Sequence, residues 1–124
     1  MTLSFLNQAY FQSQDRFLDG WVAPGFEPDV IHSYLHHGLL LAQYYEPGQS
    51  TENDLLYQLY LRQMFRHLLD SVRDPGRSPS FRKQCLDNVH VPLFKLQQYY
   101  QTIANGDAFY HQLQCELHTL HTPM

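Results

Sequence analysis

Apolar side chains recur through most of this chain at intervals of three and four, the spacing that gathers them on one face of an α-helix. In residues 2–19 the apolar positions are Leu3, Leu6, Tyr10, Phe17 and Leu18, and Gly20 follows as the residue expected to end the helix. Pro24-Gly25 is turn chemistry, after which Pro28 suits the first turn of a second helix and Asp29 complements its dipole. The second helix carries Val30, Ile31, Tyr34, Leu41, Ala42 and Tyr45 on one face and ends near Glu46, before Pro47-Gly48. A third helix is expected after Ser50 or Thr51 as N-cap, with Asn53 and Asp54 in its first turn, running to the Asp74-Pro75-Gly76 breaker. Ser78-Pro79 opens a fourth segment. Pro92 lies inside it, removes a backbone donor and crowds the preceding turn, so two pieces are expected, residues 79–90 and 92–104. Asn105-Gly106 closes that segment, Asp107 is the expected cap of a last helix, and Pro123 its end.

Two of the faces are plain core stripes: Leu93, Leu96, Tyr100 and Ile103, and then Tyr110, Leu113, Leu117 and Leu120. Strand patterning is nearly absent, the short alternation Val89-His90-Val91 abutting a proline. The expectation is an all-α fold, an antiparallel bundle of four to five helices with a kink or break at Pro92, built as one domain over residues 1–124.

The third helix has a different pattern. Apolar residues from Leu55 to Val72 spread around most of its wheel, and Arg62, Arg66 and Asp70 hold a narrow arc that Leu55, Leu59 and Leu69 also enter. Such a helix must be covered on most sides, either as the central helix of the bundle or by another subunit. The second possibility makes Tyr57, Leu61, Phe65 and Leu68 candidates for contact with a protein partner or with a second copy in a homodimer.

Composition narrows the class. Of 124 residues, 44% are apolar and 15% aromatic, which excludes a disordered chain. No apolar run approaches the roughly 20 residues of a membrane span. Residues 1–6 have neither the basic nor the apolar region of a signal peptide, and the two cysteines, Cys85 and Cys115, are too few for a disulfide scaffold. A cytoplasmic location is therefore expected. The net charge of −4 argues against general nucleic-acid binding, which needs a basic face.

Three places carry candidate chemistry. The eight histidines raise metal binding: Asp29, His32 and His36 share one helical face, and His111, Cys115 and His118 repeat that spacing. Both sets lie away from the apolar stripes and would point outward, where an internal bundle site needs ligands pointing inward. Arg73, Arg77, Arg82 and Lys83 place four of the eight basic residues in eleven positions, beside Ser78 and Ser80 at a helix N-terminus, a combination able to hold an anion or an acidic partner. Trp21, Val22 and Phe26 put large apolar side chains on a loop, where they either fold back onto the bundle or anchor a partner.

No GxSxG, glycine-rich phosphate loop, HExxH or CxxC is present, and no cofactor is implied. The reading that follows is a non-catalytic interaction, regulatory or adaptor protein using the third helix and the aromatic loop, with metal or anion binding as the alternative. Histidines titrating near neutrality add a possible pH response.

Overall fold

The computed structural model describes residues 2–121, and among them it is all helix and connection. The elements are α1 (Leu3–Leu18), α2 (Glu27–Tyr44), α3 (Asp54–Arg73), α4 (Pro79–Asn88), α5 (His90–Tyr100) and α6 (Gly106–His118), with a final 3-10 turn at Thr119–His121. Only Val89 separates α4 from α5, so the two form one broken rod and the bundle has five rods, as expected.

Local chemistry sets most boundaries. The Thr2 hydroxyl accepts from Phe5 N at 3.2 Å and caps α1. Pro28 occupies the first turn of α2, where its missing N–H is no loss. Ser78 caps α4 through Phe81 N at 3.1 Å, with Pro79 first in the helix. The break falls at Val89 rather than at Pro92 itself. A proline cannot donate to the carbonyl four residues back, here that of Asn88, so the ladder fails at that carbonyl and Pro92 sits in the first turn of α5.

Two expected caps are corrected. The cap of α3 is Asn53, whose Oδ1 accepts from Leu56 N at 3.1 Å. Neither Ser50 nor Thr51 caps it; the Thr51 hydroxyl donates instead to Tyr44 O at the end of α2. Asp107 does not cap α6, because Asn105 turns left-handed at φ 61° and the helix starts at Gly106. A side chain on Gly106 would collide with the Tyr100 carbonyl, so this tight turn requires glycine. The expectation for Pro123 lies outside the described residues.

The core settles the question raised by α3, which is the central helix. It packs on α2, α4, α5 and the last 3-10 turn, while α1 packs on α2 and α6 on α5. Tyr57, Leu61, Met64, Phe65, Leu68 and Leu69 of α3 are buried among Tyr10 and Phe17 of α1, Ile31, Tyr34 and Leu41 of α2, Phe81 of α4 and Leu96 of α5. Gly38 lets α2 approach α3 closely, with the Met64 thioether filling the place of its side chain. No helix among the described residues is long and apolar enough to cross a membrane.

Candidate functional site

Burial corrects four of the six expected partner contacts. Tyr57, Leu61, Phe65 and Leu68 are enclosed by their own chain and present nothing to a partner. The bundle wraps this side of α3 unaided, because the broken α4–α5 rod and α2 converge on it.

What remains open on α3 is the arc that holds its arginines. Leu55 is 75% exposed and Leu59 50%, and both lie in a shallow groove with Arg62, Arg66 and Asp70. These five positions step by four, three, four and four residues, so they form one strip along the helix. Gln63 and His67 border the strip toward α1, with Tyr10 donating to Gln63 Oε1 at 2.5 Å and Leu18 sharing a hollow with His67 and Asp70. Glu116 borders it toward α6, 3.5 Å from Arg66. The sequence contained the signal, two leucines intruding on a polar arc, but the weight of apolar residues elsewhere on the wheel drew attention to the buried side.

The aromatic loop is open as well. Trp21 is 72% exposed and Phe26 57%, with Val22 partly buried against the core. Asp19 Oδ1 accepts from Trp21 N at 3.2 Å and Glu27 accepts from Gly25 N at 2.8 Å, so the loop is shaped by its own carboxylates. Trp21, Val22 and Pro24 face Arg77, Ser78 and Phe81 across a small hollow.

The expected anion site is not assembled. Arg77 donates to Phe17 O at 2.6 Å and lies over the Phe81 ring at 4.5 Å, tying the end of α1 to the start of α4. Arg82 Nε donates to Val72 O at 2.9 Å, and Arg73 donates to Glu116 O at 3.1 Å and to Thr119. Ser78 is occupied in capping, and Ser80 accepts from Gln84 at 3.3 Å. Lys83 is exposed on α4. The basic residues are spent on orphan carbonyls at helix ends, a frequent use of arginine, and they do not converge on one point.

The metal expectation is corrected in the same way. Asp29, His32 and His36 are exposed on α2, and His111, Cys115 and His118 on α6. His111 Nε2 and Cys115 Sγ lie 3.5 Å apart, yet no three His, Cys, Asp or Glu side chains among the described residues are placed to share an ion. Cys85 is no better as a nucleophile, since burial pushes its thiol up to about 12.

A polar chain beneath the open strip was not anticipated. The Tyr10 and Tyr34 hydroxyls are 3.3 Å apart, and Tyr34 is 2.6 Å from His67 Nδ1. Burial raises Tyr34 to about 12 and raises Tyr10 further, helped by the nearby Tyr34. Burial lowers His67, a pull that Asp70 partly opposes, so its ring is held neutral and can accept from Tyr34. Farther along the strip, Arg62 Nε and the Tyr100 hydroxyl are both buried without a well-aligned hydrogen bond among the described residues, although the Arg62 side chain lies within reach of that hydroxyl. Burial raises Tyr100, while the charges of Arg62 and Arg66 beside it pull the other way. No protein-family model, curated protein or solved structure matches this chain.

Proposed function

We propose that the chain is a non-catalytic interaction protein, an adaptor or regulatory module, working in the cytoplasm through surfaces on α3 and on the loop from Trp21 to Phe26. One observation carries this reading: Leu55 and Leu59 stand on adjacent turns of the central helix and remain largely in water. A small bundle that encloses 23 apolar side chains among its described residues normally leaves such residues uncovered singly, and neighbouring ones mark a contact surface. Trp21 and Phe26 provide a second exposed apolar site, of the residue types favoured at binding hot spots. The partner is a protein, and a second copy of the chain belongs to that class. Two free cysteines, one of them exposed, accord with a reducing compartment.

Affinity co-purification from the native cell tests this reading, comparing wild type with Leu55→Ser/Leu59→Ser and with Trp21→Ala. A stoichiometric protein retained by wild type and lost from at least one folded variant is the expected result. A chain that sediments as a monomer at high concentration and retains the same proteins in all three forms would overturn it.

A further inference from the structure

We infer that the buried chain from His67 through Tyr34 and Tyr10 to Gln63 is a proton-operated latch between α1 and α2. A proton taken up at His67 Nδ1 turns the Tyr34 hydroxyl round and supplies the hydrogen bond that the Tyr10–Tyr34 contact lacks. Three contacts run along the chain, and each needs one proton. The Tyr34 oxygen is 2.6 Å from His67 Nδ1, and the Tyr10 oxygen is 2.5 Å from Gln63 Oε1. A separation of 2.5 Å is too short for an amide N–H partner, so Gln63 presents its oxygen, which only accepts. Tyr10 therefore spends its one proton on Gln63. With Nδ1 bare, Tyr34 spends its own on His67, and none is left for the contact between the two hydroxyls. That contact is the long one, at 3.3 Å, beyond the roughly 2.5–3.0 Å of an O–H···O bond. Gln14 Nε2 reaches the Tyr10 oxygen from 3.4 Å, which leaves that oxygen a second lone pair for Tyr34.

An imidazolium donates from both ring nitrogens. Once Nδ1 carries a proton it donates to Tyr34, the Tyr34 hydroxyl swings to the Tyr10 oxygen, and Tyr10 keeps Gln63. All three contacts are then filled, and neither tyrosine O–H bond has to break. Tyr10 and Tyr34 are fully buried, so the missing partner has to come from within the chain. The protonated protein thus holds α1 to α2 by one hydrogen bond more than the neutral one. Burial of the ring opposes its charge, and Asp70 beside it favours the charge. Of the other charged groups around His67, Arg66 is paired with Glu116, Asp74 with Arg77, and Arg62 lies by Tyr100. α1 brings Phe17 and Leu18 to the ring, and α2 brings Tyr34. The bond gained offsets part of the burial cost, and the latch closes on the acid side of the ordinary histidine value.

Nitrogen-15 NMR of the His67 ring, followed from pH 8 down to pH 4, tests the latch. The neutral ring is expected to carry its proton on Nε2, with Nδ1 bare. Tyr10→Phe removes the acceptor that the turned Tyr34 hydroxyl needs, and should weaken the proton affinity of His67 roughly three- to tenfold, the worth of one hydrogen bond. Gln63→Leu frees the Tyr10 proton for Tyr34 while His67 is neutral, and should weaken the affinity in the same direction. Either variant suffices where circular dichroism shows that the other does not fold. Tyr60→Phe is the control: its ring packs edge-on against Tyr10 at 5.4 Å, outside the chain, and the affinity should stay within about twofold of wild type. A neutral ring protonated at Nδ1 would overturn the inference. So would an unchanged affinity in folded Tyr10→Phe or Gln63→Leu, or an equal loss in Tyr60→Phe.

Discussion

His67 is a residue whose charge state bears on the fold. It lies half-buried beside Phe17, with its Nδ1 against the Tyr34 hydroxyl. Its pKa is depressed in the folded chain, so the unfolded chain binds the proton more readily. The associated stability is therefore complete above the unfolded value of about 6.5 and is lost as pH falls through the lower folded value. Thermal unfolding should show a falling midpoint between pH 7.5 and pH 5, and His67→Gln, which keeps an acceptor for Tyr34, should flatten that slope. An unchanged slope in the variant would assign the effect elsewhere, for example to His37, which burial also lowers. Little of this was visible in the chain as written. Eight histidines were countable, but nothing in their spacing distinguishes the one facing Tyr34 from those in solvent.

Among the helices, the boundaries show what a sequence conveys and what it omits. Ser78-Pro79 and Pro28 were legible because each acts through its own neighbours. The cap of α3 was not, because Thr51 and Asn53 are equally able caps and the choice depends on α2: Thr51 is drawn to the Tyr44 carbonyl, leaving Asn53 for the helix. Asn53→Ala should cost about 1 kcal/mol by chemical denaturation, the usual loss of a side-chain cap. At the α5–α6 turn the Tyr100 carbonyl occupies the space of a side chain at position 106. Gly106→Ala is expected to cost roughly 1–3 kcal/mol, the range of an overpacked site, although alanine is the better helix former. A neutral or stabilising result would mean that the turn can open without loss. The basic loop was misread for a related reason. Clustering in sequence suggested one shared target, but Arg73, Arg77 and Arg82 point to three different elements.

For the whole bundle, the two sides of α3 should respond oppositely to substitution. Leu61→Ala and Phe65→Ala remove fully buried side chains and are expected to cost roughly 2–5 kcal/mol each in equilibrium unfolding. Leu55→Ser and Leu59→Ser should stay within about 1 kcal/mol of wild type, because these side chains are mostly in water already. The all-α architecture and the central place of α3 follow from periodicity and from an apolar wheel that needs covering. Which arc stayed uncovered depended on where α1 and α6 came to rest, and a helical wheel holds no information on that. The contact between Gly38 and Met64 has a practical corollary. Met64 is the one thioether among the described residues, sealed in the seam between α2 and α3. An added sulfoxide oxygen would wedge that seam apart and can form only when the seam already gapes. The rate at which dilute peroxide marks Met64 thus becomes a clock for breathing of the bundle, readable by mass spectrometry, and any ligand that clamps the helices together should slow it.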